Sequence, residues 1–148
     1  MALQQKIDQD LKEAMQARDE VRVSTIRFLK SAIKYSAIEK KTQSLGDPDI
    51  QQVIQKQIKQ RRESIDQFMG AGRPELAEKE RHEAEILEQY LPKQLGDSEL
   101  EVFVKNEIQA SGAISKKDFG RMMKLLNEKL AGKAEAKRIS DVLGRLLQ

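Results

Sequence analysis

Apolar residues recur every three or four positions along almost the whole of this chain, and this periodicity limits its fold more than any other feature. Leu3 and Ile7 begin the pattern, and Val142 and Leu146 end it. Such spacing places apolar side chains on one face of an α-helix. Aromatic residues make up only 4% of the chain, which argues against β-sheets. We therefore predict an all-α, multihelical fold.

Glycine and proline residues divide this pattern into seven predicted helices. A break at residues 46–48 precedes the third helix, with Asp47 as its N-cap and Pro48 in the first helical position. Another break around Gly72 separates the third helix from the fourth, so that the two form a hairpin. We expect helical hairpins of four long helices, followed by three short helices that form a compact unit.

A short segment with two helix breakers, Pro92-Lys-Gln-Leu-Gly-Asp97, predicts a linker between two subdomains. We expect an N-terminal subdomain of long helical hairpins over residues 1–95 and a small three-helix C-terminal subdomain over residues 96–148. Ser98 and Glu101 have the spacing of a capping box at the start of the fifth helix. The apolar stripes also predict that Phe28, Met69 and Val102 point into the core.

The composition excludes several classes of site. The chain contains no cysteine, which excludes a disulfide framework, a thiolate zinc site and a cysteine nucleophile. The N-terminal residues lack the apolar segment of a signal peptide, and no stretch reaches the roughly twenty apolar residues that a membrane span needs. We expect a soluble protein of the reducing cytoplasm, with no membrane partner.

Residues that could carry catalysis are scarce. The single histidine, His82, lies in a charged helical run and has no nucleophile motif beside it. Glu78, His82 and Glu85 share a helical face and could coordinate a metal, but a solvated charged face accounts for them better. The glycines of residues 70–73 lack the preceding strand of a phosphate-binding loop. We assign no catalytic, cofactor-binding or metal-binding residues, and we expect no cofactor.

The hairpin of the third and fourth helices brings opposite charges together. If it folds about residue 72, Arg61 faces Glu83, and Arg62 and Glu80 lie on the same two stripes. One interpretation is a partly buried Arg–Glu pair that sets the register of the hairpin. The other is a carboxylate pair for acid–base chemistry, which needs substrate access that a hairpin seam rarely offers. We favour the structural interpretation.

Positive charge is concentrated near the C-terminus. Residues 116–145 contain nine basic and four acidic residues, a local net charge of +5, whereas the whole chain carries +3. Such a surface can bind phosphates through the release of counterions. The basic residues do not alternate with aromatic residues that could stack on bases, so binding would depend on the shape and backbone of a nucleic acid. The alternative is a lysine-rich face that is merely solvated.

Several motifs resemble those of the YqeY family. They are Gln60-Arg-Arg-Glu-Ser-Ile65, Ala71-Gly-Arg73, Leu76-Ala-Glu78 and Tyr90-Leu-Pro92, followed by Asp118-Phe-Gly-Arg-Met-Met123 and Gly132-Lys-Ala134. The second half also resembles the tail domain of GatB, the B subunit of the tRNA-dependent amidotransferase. The resemblance spans nearly the whole chain and implies an all-helical fold in two subdomains.

The resemblance also implies a function. The GatB tail helps to hold tRNA, while the chemistry takes place in parts of the amidotransferase that this chain lacks. The family is linked to carbon–nitrogen ligase activity with glutamine as the amide donor, but these residues do not support that activity on their own. We predict a non-catalytic tRNA-binding or adaptor protein. The predicted RNA-binding residues are basic and lie in the C-terminal part: Lys116, Lys117, Arg121, Lys124, Lys133, Lys137 and Arg138.

Two alternatives remain open beside this prediction. One is a docking module for an amidotransferase or another translation component, with no RNA contact. The other is an enzyme. The concentration of basic residues favours the RNA-binding interpretation over the docking module.

Overall fold

In the computed structural model, which describes residues 2–147, every regular element is a helix. Seven α-helices follow one another in this part of the chain. They are α1 (Leu3–Gln16), α2 (Glu20–Glu39), α3 (Asp47–Gly70), α4 (Pro74–Glu88), α5 (Asp97–Ser111), α6 (Phe119–Lys129) and α7 (Ala136–Leu146). A one-turn 3-10 helix, Lys116–Asp118, leads directly into α6. The predicted all-α, multihelical fold is confirmed.

The chain divides between Leu91 and Pro92 into two compact units, each with its own core. The first unit contains α1 to α4, and α3 packs along α4 as a hairpin. Its core is built from fully buried aliphatic side chains such as Ile26, Leu29 and Ile54. Within residues 2–147, no helix is long and apolar enough to cross a membrane.

The second unit contains α5, α6 and α7 around a separate core that includes Leu100, Met122 and Leu126. The segment before α5 belongs to this unit. The Leu95 N–H donates to the carbonyl of Lys133 at 3.0 Å, and the Gln94 amide donates to the carbonyl of Gly132. These bonds fix residues 94 and 95 against the turn between α6 and α7.

The helix starts agree only in part with the sequence signals. Asp19, which precedes α2 and is of a residue type that favours N-caps, caps this helix, because its carboxylate accepts a hydrogen bond from the Arg22 N–H at 3.2 Å. Asp47, the predicted N-cap of α3, is instead the first residue of that helix. Its carboxylate accepts the N–H of Leu3 at 3.1 Å, so it ties the start of α1 to the start of α3. A long-range contact has replaced the local cap.

The predicted capping box of Ser98 and Glu101 is wrong. Helix α5 begins at Asp97, its N-cap is Gly96, and no side chain caps it. Glu101 instead pairs with Lys105 on the same helix, at 3.5 Å. Because Gly96 is the N-cap, Ser98 is already the second residue of the helix, so the spacing of Ser98 and Glu101 no longer matches a capping box.

Three side chains that the apolar stripes placed inside are exposed. Phe28 is 60% exposed, Met69 50% and Val102 57%. Val102 is two residues from both Leu100 and Val104, so it lies on the opposite face of α5 from these buried residues. Phe28 lies beside the buried face of α2, and Met69 lies in the last turn of α3, beyond its buried residues. The buried face of each of these helices therefore includes fewer residues than the apolar pattern of the sequence indicates.

Candidate functional site

The predicted RNA-binding residues lie in the second unit, and most of them face solvent. The exposed residues are Lys116, Lys117, Arg121, Lys124, Lys133 and Lys137. Arg138 is partly buried. The 3-10 helix positions the first two, α6 the next two, the turn after α6 holds Lys133, and α7 begins just before Lys137.

The arginines of this set are engaged in structural contacts. Arg138 donates to the carbonyl of Leu95 at 3.0 Å and to the Asp97 carboxylate at 2.9 Å. It therefore links α7 to the start of α5. Arg121 pairs with Asp118 at 3.2 Å, one turn earlier in the chain. Neither guanidinium is fully available to a phosphate without giving up a partner.

The lysines of this set are different. In the described part of the chain, no ion pair joins the ammonium groups of Lys116, Lys117, Lys124, Lys133 or Lys137 to a carboxylate. Lys129, by contrast, is held by Glu107 at 2.9 Å. The five unpaired lysines are therefore the strongest concentration of available positive charge in this unit.

The carboxylate of Asp118 lies among these cations and is held by the backbone. It accepts the N–H of Ile114 at 3.0 Å, while Ser115 accepts the N–H of Lys117. The hydrogen bond from Ile114, followed by the one from Arg121, lowers the pKa of Asp118 below its ordinary value. This carboxylate therefore stays ionised and neutralises Arg121 rather than the lysines.

The basic residues form two groups along α6. Lys117, Arg121 and Lys124 follow at intervals of four and three, the spacing of side chains on one helical face. Lys133 and Lys137 lie beyond the other end of this helix. An α-helix of 11 residues is roughly 16 Å long. The first group therefore runs from the 3-10 helix to the middle of α6, and the second begins after the C-terminal end of α6.

Aromatic side chains do not contribute to this surface. The second unit contains Phe103 and Phe119, and both pack against its core. A surface of lysines without an aromatic platform can hold a phosphate backbone, but it cannot stack on unpaired bases. Its chemistry fits recognition of an ordered backbone.

The first unit contains the predicted charge cluster of the α3–α4 hairpin. The Arg61 guanidinium pairs with Glu80 at 3.1 Å and with Glu83 at a still shorter distance. All three side chains are largely buried, with 12% of Arg61 and 10% of Glu83 exposed. The predicted contact across the hairpin is confirmed. Arg62, predicted to face the region of residue 82, reaches Glu88 instead, at 3.4 Å.

The face of Glu78, His82 and Glu85 does not form a metal site in the structure. No group of three or more His, Asp or Glu side chains within residues 2–147 is arranged to hold an ion. Glu78 instead pairs with Arg81 at 3.2 Å on the surface of α4. Gly72, in the predicted turn, has a φ of 71°, as a hairpin turn requires.

The sequence interpretation missed the significance of two polar residues of the first unit, Thr25 and Gln57. Both are buried, with 1% and 5% of their surface exposed. Thr25 lies in the apolar stripe of α2, and the sequence alone does not indicate that its hydroxyl is buried without a partner. The signal for Gln57 is present in the sequence, because this polar residue lies between Ile54 and Ile58 on the buried side of α3.

Comparison with known proteins identifies relatives over part of the chain. The protein "Altered inheritance of mitochondria protein 41, mitochondrial" of Eremothecium gossypii is 38% identical over 85 residues, which are 57% of this chain and 46% of that protein. The protein of the same name in Kluyveromyces lactis is 43% identical over 84 residues, 57% of this chain and 45% of the relative. That of Lachancea thermotolerans is 37% identical over 99 residues, 67% and 53% of the two chains.

These relatives correct one expectation and limit what can be transferred. Their names place them in mitochondria, so the plain cytoplasmic location expected from the sequence is wrong. The chain spans about half the length of the curated relatives it matches.

A family profile matches far more of the chain than these relatives do. It covers residues 4–147, which include both units and all seven α-helices except the first residue of α1. Its description is "Yqey-like protein". The motifs that pointed to this family lie within the matched range. This chain therefore belongs to the YqeY family of Yqey-like proteins.

Proposed function

We propose that this protein is a non-catalytic RNA-binding or adaptor protein whose second unit holds structured RNA, with tRNA as the preferred class. The single observation that carries the proposal is a set of exposed lysines on the 3-10 helix, on α6, in the turn after it and at the start of α7, which have no ion-pair partner within residues 2–147. The resemblance of this half to the tRNA-holding tail of GatB supports the choice of tRNA. Arg138 contributes to the shape of the surface through its bonds to Leu95 and Asp97.

The physics of the proposed contact makes a quantitative demand. Each phosphate that a lysine neutralises releases counterions, so the affinity falls as the salt concentration rises. Three or four such contacts give a log–log slope of about −3, at roughly −0.7 to −0.9 per contact. We expect filter binding or fluorescence anisotropy of purified protein with tRNA to give this slope.

A control RNA separates shape recognition from simple charge. A single-stranded RNA of the same length carries the same charge but no ordered backbone, and the second unit offers it no stacking platform. It should bind at least several-fold more weakly than tRNA at the same ionic strength. Absence of salt-dependent tRNA binding at low ionic strength would refute the RNA-binding proposal.

The second candidate is docking on an amidotransferase or another translation component. It is favoured by one observation, the exposed Val102 next to Phe103 on α5, beside a groove of about 480 Å³ that also contains Leu95. An exposed apolar side chain at the rim of an apolar groove can contact another protein when it belongs to a larger apolar patch. Co-purification of a translation component that is lost on Val102→Asp, without loss of tRNA binding, would support this candidate.

A further inference from the structure

A polar cavity of about 400 Å³, widely open to solvent, lies in the first unit, where α2 passes the α3–α4 hairpin. Its wall includes Thr25 and Phe28 from α2, Gln57 and Arg61 from α3, and Glu80 with Glu83 from α4. The seam of the hairpin is therefore open to a space large enough for a small molecule. A small molecule can therefore approach Arg61, Glu80 and Glu83, which the interface of two helices alone would not allow.

Several buried polar atoms of this wall have no partner within the described protein. They are the hydroxyl of Thr25, both amide atoms of Gln57 and the Nε of Arg61. A buried polar group without a hydrogen bond costs stability, so folded proteins rarely keep three such side chains together. All four atoms are covered by neighbouring side chains, so their convergence on the wall of one cavity indicates a site that hydrogen-bonds an occupant once those side chains shift.

The atoms without partners specify what the occupant must offer. The Gln57 amide presents one donor and one acceptor group, and its complement is another amide or a similar donor–acceptor pair. The hydroxyl of Thr25 can donate or accept, and the Nε–H of Arg61 requires an acceptor. A simple alkylamine has no acceptor for these donors, so the occupant must also carry a carbonyl or hydroxyl oxygen.

The charge of the wall selects against anions. Arg61 is the one cation among the six named wall residues, and it is shared by the carboxylates of Glu80 and Glu83. These three groups leave a net charge of −1 beside the cavity. A phosphate or a carboxylate would be repelled there, whereas an ammonium group would be attracted.

The mouth of the cavity adds an aromatic contact. The ring of Phe28 is 60% exposed, and the Arg61 guanidinium carbon lies 5.8 Å from its centroid. The same ring can cover the aliphatic part of a ligand or face its ammonium group. Phe28 thus combines with the two carboxylates to favour a cationic ligand with an apolar portion.

We propose that this cavity binds a small α-amino amide, a molecule with an ammonium group next to a neutral carboxamide. The ammonium group pairs with Glu80 and Glu83, and the carboxamide bonds to Gln57 and Thr25. This site lies in the first unit and goes beyond the RNA-binding function proposed for the second. It uses no basic residue of the lysine surface.

Three matched probes test the assignment on the full chain by two-dimensional NMR. Leucinamide carries both required groups, leucine has a carboxylate in place of the carboxamide, and N-acetyl-leucinamide lacks the ammonium group. At about pH 6.5 an α-ammonium group, with a pKa of about 7.7 to 8.0, is protonated. We expect saturable shifts near Thr25, Gln57 and Glu83 with leucinamide, and at least tenfold weaker binding of the other two probes.

A pair of variants tests the role of the buried amide. Gln57→Met keeps the volume and removes the amide atoms without a partner, so the fold should be retained or gain thermal stability. The Kd for leucinamide should nevertheless rise at least tenfold. Gln52→Met, at an exposed position of the same helix, is the control and should leave the Kd unchanged.

Two results would overturn the proposal. One is the absence of saturable shifts with leucinamide up to about 10 mM, since small ligands that fit a site bind in about the millimolar range or tighter. The cavity would then hold water only. The other is equal binding of leucinamide to the wild type and to a folded Gln57→Met variant.

Discussion

One residue of the first unit, Arg61, has a large effect on the stability of the α3–α4 hairpin. Arg61 holds two carboxylates across the α3–α4 hairpin, and its side chain is 12% exposed. A buried ion pair adds little over an apolar pair, yet removal of one partner leaves a charge that nothing neutralises. The hairpin register is therefore more sensitive to the loss of this arginine than to the loss of a surface ion pair.

The first prediction tests this sensitivity. Arg61→Leu should lower the free energy of unfolding by about 3 kcal/mol, because Glu80 and Glu83 are left facing each other without a cation. Arg81→Leu, which breaks the exposed pair with Glu78, is the control and should cost less than about 1 kcal/mol. Urea denaturation followed by circular dichroism measures both. Equal costs would contradict the buried role of Arg61.

Tyr90 is the second residue with a measurable electrostatic signature. Its hydroxyl donates to the Asp10 carboxylate at 2.6 Å, and the ammonium group of Lys6 lies 5.7 Å from the centre of its ring. Burial raises the pKa of Tyr90 above its ordinary value, and the bond to Asp10 raises it further. The family motif Tyr90-Leu-Pro92 thus includes a residue that ties the end of α4 to α1.

The second prediction follows from the raised pKa. The unfolded chain loses the Tyr90 proton above about pH 10 while the folded protein keeps it, so the stability due to this pKa is present below about pH 10 and is lost at higher pH. Tyr90→Phe should cost about 2 kcal/mol at neutral pH and weaken this alkaline loss. Absorbance titration of a Tyr35→Phe variant, which leaves Tyr90 as its one tyrosine, measures the pKa directly. A Tyr90 pKa at or below 10 would contradict the assignment.

Most helix boundaries in this protein are set by the conformation of the backbone and not by side-chain caps. Gly112 ends α5 in the left-handed region with a φ of 72°, while the starts of α3, α4, α5 and α7 have no side-chain cap. Glycine adopts a positive φ at little cost, whereas other residues are strained there. The conformation of Gly112 is thus the decisive stop signal of α5.

The third prediction compares two glycines of the second unit. Gly112→Ala should destabilise this unit by about 1 kcal/mol, since the added Cβ meets no neighbour but the positive φ is strained. Gly144→Ala, inside α7, should stabilise it by about 0.5 to 1 kcal/mol, as its Cβ makes only an ordinary contact with Phe119. Thermal unfolding measures both. Changes of the same sign would contradict the assigned backbone conformations.

At the scale of the whole molecule, the proposed RNA contact depends on where positive charge lies and not on its total. The net charge of +3 is modest, and unpaired lysines are also exposed on the first unit. Long-range attraction alone would respond equally to the removal of any of them. Specific contacts would respond only to the lysines of the second unit.

The fourth prediction uses two charge-matched triple variants of the full chain. Lys117→Glu, Lys124→Glu and Lys133→Glu together should abolish tRNA binding and leave the fold intact, because all three side chains are exposed and have no ion-pair partner within residues 2–147. Lys34→Glu, Lys56→Glu and Lys59→Glu together change the net charge by the same amount in the first unit. They should retain most of the binding in a gel-shift assay. Equal losses in both variants would reduce the proposal to non-specific attraction.

The sequence by itself determined the helices, because helical periodicity and glycine or proline breaks are local properties of the chain. It also predicted the contact of Arg61 with Glu83, since a short turn at Gly72 sets the register of a hairpin. The YqeY motifs are short runs of consecutive residues, so the sequence was also sufficient to identify the family. Boundaries were less well determined, as Asp47 and Ser98 demonstrate.

Only the tertiary structure decided which side chains are available for function. Whether Phe28 is covered and whether Gln57 finds a partner depend on how α2 packs against the α3–α4 hairpin, which no local pattern encodes. In the second unit, folding binds Arg138 and Lys129 to distant carboxylates and leaves lysines such as Lys124 unpaired. Packing brings together residues that are far apart in sequence. It therefore decides which charged and polar groups bind one another within the protein and which remain available to a partner.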